Sequence, residues 1–154
     1  MVIHFEGVLA VRANSDLLKE YDVNYADFIW LDECGLITSN SASWSPKISS
    51  QVTKTIYNHE EVAIISGITE KESEIDLGVY ILTQAGRELY YLLQPSSAKG
   101  FIRKVTKDIY KQYSSKVRIA IHKVISTQDT SVEYEDDPCC YMPEKEDDIK
   151  IVNQ

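Results

Sequence analysis

Residues 77–93 read Leu-Gly-Val-Tyr-Ile-Leu-Thr-Gln-Ala-Gly-Arg-Glu-Leu-Tyr-Tyr-Leu-Leu, and this stretch places a strand directly before a helix. The apolar run from Leu77 to Leu82 is typical of a strand, and Thr83 is a favourable helix N-cap. The helix that follows has an apolar stripe of Ala85, Leu89, Leu92 and Leu93. Pro95 ends this helix because proline cannot continue the hydrogen-bond ladder.

A second strand precedes this junction. The continuous apolar run Val62-Ala-Ile-Ile65 lies between Glu60-Glu61 and Gly67, which predicts a buried strand. The acidic segment 70–76 separates it from residues 77–82 and is short enough for a turn. The two strands are therefore predicted to pair as an antiparallel β-hairpin.

Two helices are predicted further upstream. Asn14-Ser15-Asp16 offers an N-cap for a short helix, and Asn24 offers one for a second helix that ends near Gly35. The second helix is expected to bury an apolar stripe of Tyr25, Phe28, Ile29 and Leu31. Residues 2–11 predict a short strand or an ill-ordered start. The Ser- and Thr-rich segment 38–55 predicts a loop in which Trp44 is either an anchor against the core or an exposed contact residue. Burial is the more common outcome for a single Trp in such a segment.

Downstream, Ile102, Val105, Ile109 and Tyr113 follow helical spacing and predict a helix over residues 98–114. The apolar positions 117, 119 and 121 alternate with polar ones, which predicts a half-exposed strand. From residue 129 onward, acidic residues and two prolines predict little fixed structure. We therefore expect a single domain over residues 1–126 and an acidic, flexible tail over residues 127–154.

Two short motifs carry a resemblance to known proteins. Leu31-Asp-Glu-Cys-Gly-Leu-Ile37 and Leu82-Thr-Gln-Ala-Gly-Arg-Glu-Leu89 resemble segments of many bacterial winged-helix domains. Ile37 and Thr83 lie 46 positions apart, which is long for a simple wing, and this longer form resembles the C-terminal part of the bacterial domain of unknown function 2806 family. That family implies no established activity.

The resemblance and the patterns together predict an α+β fold. Its winged-helix-like core would span residues 14–95 and contain the helix pair, the β-hairpin as wing and the following helix. An additional helix and strand would extend the core to about residue 126, and the acidic C-terminal tail would close the chain. In the motifs, Gly35 would allow a sharp turn out of a helix, and Thr83 would cap the helix behind the wing.

The usual DNA contacts of a winged helix are acidic in this chain. Its second helix supplies Asp27, Asp32 and Glu33 and no Lys or Arg, and the wing turn reads Glu70-Lys-Glu-Ser-Glu74. A phosphate backbone would meet like charge at both places. Binding of DNA in the standard winged-helix manner is therefore disfavoured.

The formal net charge of −8 conceals a segregation. Residues 1–98 have a net charge of −8, residues 99–123 of +7, and residues 124–154 of −7. One interpretation is a solvated helix face beside a disordered acidic tail. The other is that the tail folds back over the basic segment or competes there with an anionic ligand.

The basic segment supplies the candidate binding residues. Five cations share or border one face of the helix over 98–114: Lys99, Arg103, Lys104, Lys107 and Lys111. A basic stripe opposite an apolar stripe suits a phosphate, an anionic partner or the acidic tail of the same chain. The plainer interpretation is an ordinary amphipathic surface helix.

The sequence offers no catalytic motif and no metal motif. The three His are isolated from any Cys, and the three Cys lack the Cys-x-x-Cys spacing of zinc sites. No phosphate-binding loop or nucleophile elbow is present. We therefore expect no enzyme, no cofactor, no bound metal and no small-molecule ligand. An odd, small number of Cys and the lack of a membrane-length apolar run predict a soluble, cytoplasmic protein.

Two functions remain as hypotheses. The first is a non-catalytic interaction or regulatory module that binds a protein partner or a second copy of itself. The alternative is a nucleic-acid-binding protein that uses the basic helix 99–111 and is modulated by the acidic tail. Hydrolase activity is the least favoured.

Overall fold

A computed structural model of the chain describes residues 2–5, 8–12, 15–38, 42–93, 100–128 and 131–143. The helices are α1 (Ser15–Lys19), α2 (Tyr25–Glu33), α3 (Gln84–Leu92) and α4 (Phe101–Tyr113). The strands are β1 (Val2–Phe5), β2 (Val8–Arg12), β3 (Ala42–Trp44), β4 (Lys47–Ile48), β5 (Thr53–Tyr57), β6 (Glu61–Gly67), β7 (Ser73–Glu74), β8 (Leu77–Ile81), β9 (Val117–Thr127), β10 (Val132–Tyr134) and β11 (Cys140–Met142).

A nine-stranded antiparallel sheet dominates the fold. Its strand order is β10-β9-β6-β5-β1-β2-β8-β3, and β11 also pairs with β9. The strands β4 and β7 form a separate two-stranded ribbon. The chain therefore folds around one large sheet rather than around a bundle of helices.

The predicted winged-helix-like fold is wrong. Its wing required β6 to pair with β8, but β6 pairs with β5 and β9. The strand β8 pairs instead with β2 and β3. Segments that the sequence presented as a weak start and a loop supply β1, β2, β3 and β5, and these strands lie between β6 and β8 or beside them. The helices α2, α3 and α4 and the strands β6 and β8 were predicted correctly, but the assembly of the strands was not.

The Ser- and Thr-rich segment contains strands rather than only a loop. Residues 42–57 include β3, β4 and β5, in which Trp44, Ile48 and Ile56 are buried. Threonine is β-branched and suits a strand, so the polar composition was a misleading sign of a loop. The prediction that Trp44 is buried is confirmed, and its ring lies 4.5 Å from that of Phe5.

Part of the predicted acidic tail also has regular structure. The strands β10 and β11 both pair with β9, and Cys140 and Met142 are buried in the core. The expectation of little fixed structure from residue 129 onward is therefore wrong for residues 131–143. Residues 144–154 lie outside the described residues.

The helix α4 covers the first face of the sheet. It buries Phe101, Ile102, Val105 and Ile109 against side chains of β6 and β9 such as Ile65 and Ile121. The 98–114 helix predicted from spacing is thus confirmed over residues 101–113. This layer contains most of the buried apolar side chains of the protein.

The helices α2 and α3 lie on the second face of the sheet. Phe28 of α2 belongs to a smaller core with Leu9 and Val11, which alternate with the first-face residue Ala10. The two sequence motifs meet here. The backbone N–H of Thr83 donates to the carbonyl of Leu36 (3.0 Å), and the Thr83 hydroxyl donates to the carbonyl of Gly35 (2.6 Å).

Gly35 has the role expected from its position, and Gly86 allows a close approach that the sequence did not indicate. Gly35 follows α2 with a φ of +67°, a left-handed conformation that favours glycine. Gly86 packs so closely on Leu36 that any side chain there would collide with the Leu36 carbonyl oxygen. Thr83 also caps α3, since its hydroxyl accepts from the Gly86 N–H at 3.1 Å. These contacts fix where α3 begins.

Candidate interaction surface

The predicted basic residues do not form one open stripe. Arg103 Nε lies 2.5 Å from Glu61 Oε1, and its Nη2 donates to Cys139 Sγ at 3.5 Å. Burial alone would lower the pKa of Arg103, but the hydrogen bond and the charge of Glu61 raise it above its usual range. Arg103 thus connects α4 to β6, and its guanidinium is engaged inside the fold.

Lys104 is also paired. Its Nζ lies 2.6 Å from Glu20 Oε2 and 4.7 Å from the centre of the Tyr21 ring. The hydrogen bond to Glu20 is the main cause of its raised pKa. Lys107 and Lys111 are exposed to solvent, and Lys99 lies outside the described residues. The ion pairs of Arg103 and Lys104 use acidic residues from the first half of the chain.

The apolar stripe of α3 is largely exposed. Within α3, which the structure describes throughout, Gly86 alone is buried. Leu89 and Leu92 expose 39% and 81% of their surface, and Leu93 exposes 58%. The helix is held through Gly86, which packs on Leu36, and through the half-buried Tyr90, which lies beside His4 of β1. One edge of its apolar stripe therefore faces solvent.

The helix α2 exposes even larger apolar side chains. Phe28 is its buried residue, whereas Tyr25 and Trp30 expose 74% and 68% of their surface and Ile29 exposes 44%. The helix is firmly started, because Asn24 and Asp27 form a capping box in which each side chain accepts from the backbone near the other. We call Tyr25, Ile29 and Trp30 the α2 surface.

Two grooves adjoin the α2 surface. The larger has a volume of about 420 Å³ and lies between α2 and the sheet, with Val2, Val11, Trp30 and Leu31 among its lining residues. The smaller, of about 220 Å³, is lined by residues that include Leu18, Tyr25 and Tyr80. Both grooves are mainly apolar. Apolar anchors of a bound molecule would therefore find pockets on either side of the helix.

The charge around the α2 surface is negative. Within α2, Asp27, Asp32 and Glu33 are charged, and the helix has no Lys or Arg. The smaller groove has one basic residue, Lys19, among its lining residues. An apolar surface with an acidic rim is complementary to apolar side chains flanked by basic ones.

Sequence reasoning missed the exposure of Tyr25, Ile29 and Trp30. It assigned Tyr25 and Ile29 to a buried stripe and did not single out Trp30. A usable signal was present, because six of the nine residues of α2 are apolar and surround the helix axis. One face of a surface helix cannot bury that many side chains, so some of them had to face solvent.

A cluster of His and Tyr side chains anchors α3 to the sheet. The ring of His4 stacks on that of Tyr57 at 4.7 Å, and the ring of Tyr90 lies 5.9 Å from His4. His59 Nε2 lies 2.8 Å from the Tyr90 hydroxyl, and its Nδ1 lies 3.3 Å from the Thr127 hydroxyl. Tyr90 therefore connects α3 to the β5–β6 turn.

Burial controls the protonation of this cluster. It lowers the pKa of His4 to about 4, with a further contribution from the charge of His59. Burial also raises the pKa of Tyr57, and it raises that of Tyr90 to about 12 with help from Tyr91 and Tyr57. His4 and the two tyrosines are therefore neutral near pH 7, and their contacts are those of a neutral aromatic cluster.

The cysteines do not assemble into a metal site. Cys34 at the end of α2 is exposed, Cys139 is half-buried and Cys140 is buried. Among the described residues, no three His, Cys, Asp or Glu side chains converge in a way that would hold a metal ion. In the same parts of the chain, no helix has the length and apolar character needed to cross a membrane.

Comparison with known proteins gives one match. The family model described as "Protein of unknown function (DUF2806)" matches residues 8–106, which is more than half of the chain. The match includes both motifs and extends into α4. No curated protein matches the chain, and no solved structure matches it.

Proposed function

The chain belongs to the family of proteins of unknown function DUF2806. We propose that it is a non-catalytic interaction module. Its partner is a protein that binds the α2 surface. The partner segment presents apolar side chains flanked by Lys or Arg. The small, odd number of cysteines in the chain, three, supports a reducing cytoplasm as its compartment.

The exposure of Trp30 carries this proposal. A tryptophan that is 68% exposed, next to a 74% exposed tyrosine, is costly to leave in water. Exposed apolar surface with a polar rim marks interaction sites, and Trp and Tyr dominate the binding energy of many interfaces. The grooves on both sides of α2 add the concave shape that such anchors require.

The acidic rim selects the chemistry of the partner. Asp27, Asp32 and Glu33 would repel an acidic segment and attract a basic one. A symmetric dimer through the same surface would bring these carboxylates against their own copies, and the chain has a net charge of −8. A distinct protein with a basic, amphipathic segment is therefore favoured over a second copy of this chain.

The titratable groups with shifted pKa values favour a non-catalytic role. His4 and Tyr57 are buried, and neither they nor Tyr90 line the grooves beside α2. Binding of nucleic acid through α4 has less support, because Arg103 and Lys104 are already paired with carboxylates.

The test uses the fluorescence of Trp30, since Trp44 is buried and responds less to a ligand. The full chain is titrated with a helical peptide that has a leucine stripe flanked by lysines. A peptide with glutamates in place of the lysines and a scrambled peptide serve as comparisons. We expect a blue shift and saturable binding with the lysine peptide, and at least tenfold weaker binding of the glutamate peptide.

The variants Trp30→Phe and Ile29→Ser test the site. The affinity of each for the lysine peptide is measured by fluorescence anisotropy of a labelled peptide. Ile125→Ser is the matched control because Ile125 is 61% exposed and belongs to β9, away from α2. We expect Ile29→Ser to weaken binding about tenfold and Ile125→Ser to leave it unchanged. Equal effects of Ile29→Ser and Ile125→Ser, or equal affinity for the lysine and glutamate peptides, would refute the proposal.

A further inference from the structure

A second surface, separate from the α2 surface, lies on the same face of the sheet. Cross-strand register aligns Thr53, Ser66 and Arg118 in one row over β5, β6 and β9. The adjacent row contains Ile64, Ala120 and Tyr141, the last of these on β11. We call these six residues the sheet patch.

The sheet patch borders a groove of about 380 Å³. Ile64 and Ala120 are half-buried, whereas Arg118 is exposed and Tyr141 exposes 60% of its surface. Apolar side chains therefore form the floor, while an aromatic ring and a guanidinium stand at the sides. The volume lies within the usual range for small-ligand sites, about 300–1,000 Å³.

The electrostatics of the sheet patch differ from those of the rest of the protein. The chain has 24 acidic residues, yet the second-face positions of the paired strands here contain none. Those positions are 53, 55 and 57 on β5, 62, 64 and 66 on β6, 118, 120 and 122 on β9, and 141 on β11. An anion would meet no opposing carboxylate from these strands.

The polar groups of the sheet patch are also available. Arg103 on α4 is bound to Glu61, but within the described residues Arg118 has no ion pair and no side-chain hydrogen bond. The hydroxyls of Thr53 and Ser66 stand in the same row as Arg118 and have no side-chain partners among those residues either. Three residues with hydrogen-bond donors thus lie in one row along the groove.

We propose that the sheet patch binds a nucleoside monophosphate. The guanidinium of Arg118 pairs with the phosphate, and the hydroxyls of Thr53 and Ser66 donate to its oxygens. The Tyr141 ring stacks on the base, and Ile64 and Ala120 contact its apolar surface. One cation and one aromatic ring match a single nucleotide, whereas a longer strand would need several of each.

The test is calorimetric titration of the full chain with adenosine monophosphate, and with adenosine and inorganic phosphate as separate probes. We expect saturable binding of the monophosphate that weakens with salt, and about tenfold weaker binding of each separate probe. No saturable binding of the monophosphate at millimolar concentration would overturn the proposal.

Variants assign the binding to the sheet patch. Arg118→Gln should weaken binding of the monophosphate about tenfold, and Tyr141→Ala should do the same while Tyr141→Phe retains binding. Lys107→Gln is the matched control because it removes the same charge from an exposed position on α4. Arg118 and Tyr141 are both exposed, so their replacement should not disturb the fold. Unchanged thermal midpoints verify that the variants fold.

Two results would refute this site. Equal effects of Arg118→Gln and Lys107→Gln would show that only net charge matters. Binding of a single-stranded oligonucleotide much tighter than that of the monophosphate, and dependent on Arg118, would assign the patch to a strand rather than to a free nucleotide. Loss of peptide binding at the α2 surface has no bearing on either result, because none of the six patch residues belongs to that surface.

Discussion

Two amphipathic helices that pack on opposite faces of the sheet differ in how much of their apolar stripe is buried. On the first face, α4 buries Phe101, Ile102, Val105, Thr106 and Ile109. On the second face, α3 has an apolar stripe of comparable kind but buries Gly86 alone. An amphipathic pattern therefore predicts a helix, but burial depends on how much of the sheet the helix covers. The first face is covered by its helix, whereas the second face leaves apolar side chains of its helices exposed to solvent.

The largest expected effect tests the covered face. Phe101→Ala removes a fully buried ring at the start of α4 and should lower the free energy of unfolding by about 3–5 kcal/mol. Chemical denaturation with matched m-values measures this loss. A change below about 1 kcal/mol would mean that α4 is not the main cover of the sheet.

The ion pair between α4 and β6 tests the same face through charge. Glu61→Gln removes the β6 carboxylate that is bound to Arg103, whose side chain is 22% exposed, and should lower the free energy of unfolding by about 3 kcal/mol. The control is Glu20→Gln, which breaks the exposed pair with Lys104 and should cost less than about 1 kcal/mol. Equal losses in the two variants would contradict the difference in burial.

Protonation of His4 tests the second face. Its pKa is about 4 in the folded protein and about 6.5 when unfolded, so the unfolded state binds the proton more tightly. The stabilisation is fully present above pH 6.5 and is lost as the pH falls towards 4, by about 2–3 kcal/mol. Denaturation at several pH values measures this loss. The variant His4→Leu should lose less stability between pH 7 and pH 5 than the unaltered chain does.

The smallest expected effect concerns the exposed stripe of α3. Leu92 exposes 81% of its surface, so Leu92→Ser should change the free energy of unfolding by less than about 0.5 kcal/mol. Phe101→Ala is the matched comparison on α4. A loss of several kcal/mol for Leu92→Ser would show that the stripe is covered in solution and would remove the contrast between the faces.

Local patterns in the sequence identified local structure well. The N-caps Asn24 and Thr83 were predicted and are confirmed, as are the helix over 101–113 and the strands that contain Val62 and Val79. The packing of the two motifs against each other also follows from residues that the sequence singled out, Gly35 and Thr83. The caps, the helix and the strands each depend on neighbours within a few positions along the chain, whereas the contact between the motifs joins residues 48 positions apart.

The arrangement of the strands depended on distant partners. The prediction that β6 pairs with β8 was wrong because β5 and β9 occupy the two edges of β6. The sequence of a strand does not specify which strand it pairs with. In addition, the Ser- and Thr-rich composition of residues 38–55 led to the prediction of a loop where β3 and β5 lie. The two proposed binding surfaces were not predicted from the sequence for the same reason. Trp30 was identified by its exposure and Arg118 by its cross-strand register, and both depend on the folded sheet.

The position of β9 has a consequence for how the protein withstands proteolysis. One edge of β9 pairs with β6, and the other pairs with β10 and β11, which come from the last part of the described chain. A cut near residue 128 would free β10 and β11 and leave the outer edge of β9 without hydrogen-bond partners. Bare edges of this kind recruit strands from other molecules. Nicked chains should therefore aggregate more readily than intact ones, because β10 and β11 cover this edge of β9 in the intact chain.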